Sequence, residues 1–278
     1  MDRIIEYDIK ESDSNIKIYT FLKYRNGYST HLIRMLKFRD NGILLNGAPA
    51  KTIDLVNTGD KLVVSIPGEE SDIEPVDIPL DIVYEDDDIL IINKPPTLAM
   101  HPTHNHQGDT LANGVVFHLL KEGKSTSYKA VGRLDKGTSG LVVLALNLLA
   151  ACKLSGKTEK EYEAVVKGQP AQQGTVSTPI YRPNPMKTLR ACSDELGVEK
   201  AVTHWKVVER YDNSAKIALK LETGRTHQIR VHMASIGHPL AGDSFYGDFK
   251  PEIGHQMLTC KKCSFIHPVT GEKMHFEI

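Results

Sequence analysis

Cysteine is scarce in this chain: four residues in 278, which excludes a disulfide-stapled framework. No apolar run approaches the roughly 18–20 residues that a membrane span needs. The opening segment, MDRIIEYDIK, lacks the positive-then-apolar layout of a signal peptide, so a cytoplasmic protein with no membrane partner is expected. A P-loop, a dinucleotide fingerprint and a His-Glu-x-x-His metal motif are all missing, so no cofactor is expected. Internal repeats and low-complexity tracts are absent as well. Net charge, at -1, is too small for a grossly basic nucleic-acid binder.

That near-neutrality hides a segregation. Residues 69–88 hold ten acidic and no basic side chains, whereas 1–68 carry a net +2 and 89–278 a net +7. A modest basic excess of this kind is compatible with a polyanionic partner. Cys260-Lys-Lys-Cys263 has the spacing of half a zinc site but no second half, and MLTCKKCSF reads better as a strand with its cysteines acting as small apolar residues. His101, His104 and His106 share a loop without an acidic or cysteine partner at ligand spacing. No metal is expected at either place.

PGEESDIEPVDIP, residues 67–79, is acidic, proline-rich and aperiodic, and reads as a linker, with 69–79 as its acidic body. It separates a module at 1–68 from a larger one at 80–278. In the first module, Ser29 is placed to cap a helix over STHLIRMLK. At about 100° per residue, Leu32, Ile33, Met35 and Leu36 fall on one arc and His31, Arg34 and Lys37 on the other. Gly42 is expected to end that helix, and Asn46-Gly47 to turn a hairpin. In the second module, Ile82–Tyr84 and Ile89–Ile92 read as strands around a solvated acidic turn, Asp86–Asp88. DTLANGVVFHLLK reads as a helix capped at Asp109 or Thr110. LVVLAL, EYEAVVKG, THWKVVERY and KIALKLET read as strands, and THQIRVHMASIG as a helix stopping at Gly237. Strands that follow one another directly predict an α+β fold with a mixed, largely antiparallel sheet.

The polar residues in glycine-rich contexts are the candidates for chemistry. They are Arg133, Asp135, Thr138 and Ser139 in GRLDKGTSG, Tyr162 in KEYEAVVKG, and Arg225, His227 and Arg230 in GRTHQIRVH. Asp135 lies just before an apolar strand, so its loop must dock on the core. A carboxylate there needs a cation or several donors to stay ionised, and Arg230 is expected to supply a two-pronged contact. A helix cap, a structural ion pair and a catalytic acid all remain open for Asp135 on pattern alone.

Taken together, GRLDKGTSG, KEYEAVVKG, GRTHQIRVH, GHPLAGDSFYG and the closing HQMLTCKKCSFIHPVTGEKMHFE resemble the blocks of the RluA-type pseudouridine synthases. The first module resembles the RNA-binding domain of the small-subunit ribosomal protein four type. The resemblance implies a pseudouridine synthase fold and an isomerase that converts specific uridines of structured RNA to pseudouridine. Large-subunit (23S) rRNA is the first expected substrate and tRNA the second. It assigns Asp135 as the catalytic aspartate, Tyr162 as the ring against the target base and Arg230 as the aspartate's basic partner. Arg133, Leu134, Thr138 and Ser139 fall in the active-site loop. Arg225 and His227 become phosphate contacts or loop supports, and Ile229 core or site wall. His31, Arg34 and Lys37 become RNA contacts of the first module, and a monomer is expected. Two features depart from the family: Gly132 stands where it has histidine, and NLLAACKLSGKTEKEYEA is short. A rival reading is a non-catalytic RNA-binding or ribosome-assembly protein on the same fold. Another is a glycoside or nucleoside hydrolase, which would need a second carboxylate across the bond.

Overall fold

The structure is a computed structural model that describes residues 1–103, 106–196, 199–247 and 252–278. The first 66 residues fold around their own core. In order they form β1 (Arg3–Asp8), β2 (Ile16–Lys17), α1 (Ile18–Thr20), α2 (Thr30–Lys37), β3 (Ile43–Leu45), β4 (Ala48–Pro49), β5 (Leu55–Val56) and β6 (Lys61–Ile66). Ser29 caps α2 by accepting the backbone N–H of Leu32 at 3.1 Å. Leu32, Ile33 and Leu36 are buried, Met35 is only half-buried, and His31, Arg34 and Lys37 are exposed. Asn46 and Gly47 take φ of 54° and 82°, so the β3–β4 hairpin turns through two left-handed residues. The helix ends at Lys37, earlier than Gly42 predicts. Gly42 serves a different purpose: a Cβ there would lie 2.3 Å from the carbonyl oxygen of Leu36.

The second part continues with β7 (Ile82–Glu85), β8 (Ile89–Lys94), α3 (Leu111–Lys121), β9 (Lys129–Ala130), β10 (Ser139–Ala145), α4 (Leu148–Leu154), β11 (Glu159–Lys167) and β12 (Gln173–Val176). A separate short pair, β13 (Ile180–Tyr181) and β14 (Ala191–Cys192), precedes β15 (Thr203–Tyr211), β16 (Ser214–Leu221), α5 (Gln228–Ser235), β17 (Leu258–Ile266) and β18 (Lys273–Glu277). Thr110 caps α3 in a reciprocal box with Asn113. The main sheet runs β12-β15-β16-β11-β17-β10-β8-β7, with β18 on β17 and β9 on β10. Its pairings are antiparallel except β10 with β17, which is parallel. This is the α+β, largely antiparallel architecture expected.

The β10–β17 contact is a seam between two halves of the sheet. It spans only Ser139 and Gly140 against Thr259 and Cys260. A Cβ at Gly140 would lie 2.3 Å from the Cys260 carbonyl oxygen, so only glycine permits this approach. Beside it, Lys261 bulges: Glu161 pairs with Lys262 but Tyr162 pairs with Cys260. The extra residue changes the side-chain parity of β17, so Cys260 and Cys263, three apart, both face the core. The described residues hold no helix long and apolar enough to cross a membrane.

Two expectations change. The acidic segment after residue 67 has no helix or strand, yet it is docked. Ser71 N–H donates to Thr126 Oγ1 at 2.8 Å, and Asn113 Nδ2 donates to the Glu74 carbonyl at 2.7 Å. The turn at Asp86–Asp88 is not simply solvated, because Asp88 is 2% exposed. Arg3 of β1 grips both its oxygens, at 3.0 and 2.8 Å, and Asn147 donates to it as well. Asp86 accepts from two backbone N–H groups and from Tyr84, and lies 2.9 Å from His267 Nε2. Those three side chains converge, but their ligand atoms are engaged with protein partners. The same edge carries Leu148, Leu149 and Val269, which pack into the N-terminal core.

Candidate active site

An open cavity of about 770 Å³ lies beside the seam, lined by residues 131–135, 156–162 and 220–230 among others. Asp135 sits at its floor in the turn between β9 and β10. The turn closes when Thr138 N–H donates to the Asp135 carbonyl at 3.0 Å. Gly137 N–H reaches the Pro96 carbonyl, and Gln256 Nε2 donates to both the Lys136 carbonyl and Thr138 Oγ1, each at 3.0 Å. Gly137 has φ 87°, and a Cβ there would overlap the Gln256 amide, 2.3 Å from Oε1. Ser139 Oγ pairs with Thr259 Oγ1 across the seam at 2.8 Å. Thr138 and Ser139 are therefore struts of the loop, and Leu134 is its buried anchor in the core. Arg133 is exposed at the cavity wall.

Arg230 enters from the first turn of α5. Its Nη1 donates to Asp135 Oδ2 at 3.3 Å. The two-pronged contact expected between them belongs instead to Asp243: Arg230 Nε and Nη2 donate to Asp243 Oδ2 and Oδ1 at 2.7 and 2.8 Å. The planar fork of guanidinium offers two parallel donors on its Nε/Nη2 edge, and Asp243 takes that edge; Asp135 receives one hydrogen bond, from Nη1. Both members of the Arg230–Asp243 pair are buried. Burial works against the charge on Asp243, but Arg230 and the backbone N–H groups of Phe245 and Tyr246 outweigh it and hold the carboxyl below its usual range. Burial likewise opposes the charge on Arg230, and its two carboxylate partners reverse that. The rings of Phe245 and Tyr246 lie 5.2 and 5.3 Å from the guanidinium carbon.

His227 precedes α5 in a left-handed conformation, φ 58°. Its Nδ1 meets Tyr246 Oη at 2.9 Å, and its Nε2 lies 3.9 Å from Asp135 Oδ2. Burial pushes its pKa down, helped by Arg230 and Arg190, against the opposite pull of Asp135. At neutral pH the imidazole is thus neutral and faces the carboxylate. Tyr162, on β11, is 8% exposed with its ring in the cavity wall. Burial drives its phenol well above the usual range, so it acts as a ring and a neutral hydroxyl. Ile229 is buried in the core below the wall. Arg225 stands at the rim, donating to the Lys200 carbonyl and paired with Glu199 at 3.5 Å.

The structure brings Asp135, Tyr162, His227 and Arg230 together from three separate stretches of chain. His31, Arg34 and Lys37 share the exposed face of α2, outside this cavity. Of the three clustered histidines, His106 bonds Asp109 and Lys136, and His101 packs on Tyr128; His104 lies outside the described residues.

Two residues escaped sequence reasoning. Asp243, in LAGDSFYG, follows Arg230 by 13 positions, and its Gly-Asp context was the available signal. Lys94 follows the apolar run ILIIN, which marked it as the end of a buried strand. It is fully buried, and its ammonium donates to the carbonyls of Pro95 and Leu98 at 2.9 and 2.8 Å. Burial pushes its pKa down to about 8, against the opposing pull of the Asp135 charge.

A pH dependence follows from Lys94. Between about 8 and its ordinary 10.5 the unfolded chain holds a proton that the folded chain does not, so this site's contribution to stability rises with pH in that window. Below it, the buried charge costs about 3 kcal/mol. Lys94→Met should therefore gain stability relative to wild type at pH 7, and the difference should shrink toward pH 10.5. Urea unfolding of both proteins at several pH values checks this. Subtracting wild type cancels Cys260 and Cys263, which burial shifts up to about 11 and 12 and which act in the opposite sense. A pH-independent difference contradicts the assignment.

Comparison with known proteins agrees with this geometry. The family model described as RNA pseudouridylate synthase matches residues 88–235. The uncharacterized RNA pseudouridine synthase YjbO of Bacillus subtilis is 40% identical over 260 residues, 90% of each chain. The ribosomal large subunit pseudouridine synthase D of Haemophilus influenzae is 40% identical over 227 residues, 75% of this chain and 69% of its own. In the solved structures, human RNA pseudouridylate synthase domain containing 1 superposes with a TM-score of 0.58 at 26% identity, covering 76% of this chain and 85% of that one. With the family model and these relatives all of one kind, the chain belongs to the RNA pseudouridylate synthase family, in its RluA-type branch.

Proposed function

We propose that this isomerase converts uridine to pseudouridine in large-subunit ribosomal RNA, with Asp135 as its catalytic carboxylate. The observation that carries the reading is the placement of Asp135 at the cavity floor, one oxygen 3.3 Å from Arg230 and the cavity wall formed by Tyr162. The target class follows relatives named for the ribosomal large subunit.

The reaction moves uracil's sugar link from nitrogen to carbon within one nucleotide. The glycosidic bond breaks, the base turns, and a carbon–carbon bond forms, with no net redox change. A nucleotide in structured RNA must first leave its stack to reach a recessed carboxylate. Tyr162 gives the extruded base a flat apolar face. Asp135 then either attacks the sugar carbon or removes a sugar proton to begin elimination. Either role needs an ionised, oriented carboxylate, and Arg230 favours both. His227, neutral and 3.9 Å away, leaves that carboxylate without a second formal cation at its side. Asp243, the other carboxylate on Arg230, is buried behind it and does not face the cavity.

The N-terminal module is assigned as an RNA-binding domain of the ribosomal-protein type. The exposed cationic face of α2, with His31, Arg34 and Lys37, supports this.

Two outcomes are expected. Asp135→Asn should abolish pseudouridine formation, a loss of at least about a thousandfold on the scale of covalent or general-base catalysis, while thermal melting and RNA affinity stay near wild type. Pseudouridine mapping of RNA from a deletion strain, before and after incubation with each protein, checks this; a wild-type enzyme that modifies tRNA alone would redirect the target. The triple change His31→Gln, Arg34→Gln and Lys37→Gln should flatten the salt dependence of RNA binding by about 2 in log–log slope. An unchanged slope would remove the module's assignment.

A further inference from the structure

The turn from α4 into β11, Gly156-Lys157-Thr158-Glu159-Lys160, forms the cavity edge beside Gly132. The catalytic chemistry above uses none of it. Its cations differ from others that line the cavity. Lys220 is paired with Glu161 at 2.6 Å, His204 with Glu222 at 2.8 Å and Arg225 with Glu199 at 3.5 Å. Lys157 and Lys160 pair with no carboxylate among the described residues. Lys157 is exposed, and Lys160 makes one long bond, 3.4 Å, to the Val131 carbonyl. An ammonium has three donors, so Lys160 keeps two to spare.

Between them stands an independent sign of a missing ligand. Thr158 Oγ1 is buried and has no hydrogen-bond partner among the described residues, although a buried hydroxyl is ordinarily satisfied. The approach to Lys160 is also kept clear. Gly132 has φ 77°, and a Cβ there would lie 3.3 Å from the Lys160 ammonium nitrogen. Any side chain at 132 would cover that nitrogen. Lys160 and Tyr162 are two apart on β11, so they project to the same face of the strand.

We propose that Lys157, Thr158 and Lys160 form a phosphate subsite that holds an RNA backbone phosphodiester next to the nucleotide presented to Asp135. Two ammonium groups neutralise the phosphate, and the threonine hydroxyl donates the hydrogen bond it otherwise lacks. The subsite rests on the reading of this cavity as the RNA site. Its residues position RNA and take no part in bond making.

The test measures binding of a fluorescein-labelled twelve-nucleotide oligouridylate by anisotropy between 50 and 300 mM KCl. A single strand loses about 0.7 in log–log slope for each phosphate contact removed. Lys157→Met with Lys160→Met removes that one contact and should therefore lower the slope by about 0.7 and weaken binding on the order of fivefold near 100 mM salt. Lys157→Met alone, at an exposed position, should lower the slope by part of that amount; this variant covers the case in which the double change disturbs the loop. Lys160→Arg should keep the wild-type slope, and Thr158→Val should weaken binding without changing it. With ribosomal RNA substrate, the double variant should raise KM and leave kcat at saturating RNA within about threefold, as loss of uniform binding does. An unchanged slope in both lysine variants, or a fall in kcat with KM unaltered, overturns the subsite. Failure of the wild-type protein to make pseudouridine would sink the functional reading instead, because the oligouridylate slopes do not depend on turnover.

Discussion

The buried ion pair between Arg230 and Asp243 is the constraint on which the site depends. A guanidinium removed from water must find carboxylates or pay a large desolvation cost. Here one edge of the fork is closed by Asp243, itself fully buried and tied to the backbone of Phe245 and Tyr246. With that edge fixed, Nη1 is held toward Asp135 and donates to it. The pair therefore acts as a fixed mount for a cation: it sets where the positive charge sits, and Asp135 meets it with no need to organise it. Removing one member of such a pair typically costs about 3–5 kcal/mol, so the mount is also a large share of local stability.

The sheet supplies the matching half. Asp135 is held from the other side by the seam where β10 meets β17. Gly140 lets the two strands approach, Gln256 pins the loop at two points, and Ser139 closes the contact with Thr259. Lys94 lies buried nearby, its ammonium donating to the carbonyls of Pro95 and Leu98. The carboxylate thus has one cation at its side, with a second and a neutral imidazole nearby. Such a site is preorganised in the sense that its dipoles and charges are set by packing before RNA arrives.

Much of this was legible in the sequence. The cap at Ser29, the Asn46-Gly47 turn and the alternation of Ile217 and Leu219 follow local rules, and the structure obeys them. The blocks GRLDKGTSG, KEYEAVVKG and GRTHQIRVH marked Asp135, Tyr162 and Arg230, and the family resemblance rather than local pattern gave them roles. What escaped depends on contacts across the fold. Nothing local tells Arg230 to prefer Asp243 over Asp135; only packing of the 240s loop on α5 decides it. Lys94 reads as an ordinary charge at the end of an apolar run, and only the Pro95–Leu98 turn shows that it stays inside. The acidic segment after residue 67 looked like a free linker because its partners, Asn113 and Thr126, sit on distant elements. Asp88 looked solvated because its partner Arg3 belongs to the other module.

The most direct measurement is single-turnover pseudouridine formation by Asp243→Asn, alongside its RNA affinity and melting curve. Asparagine keeps the shape and one acceptor but removes the charge that fixes the fork. The account predicts a folded protein whose rate falls at least about tenfold, the size expected when a preorganised charge loses its alignment, with RNA affinity within about twofold of wild type. A folded Asp243→Asn protein that reacts at the wild-type rate would contradict the claim that this pair holds the cation for Asp135.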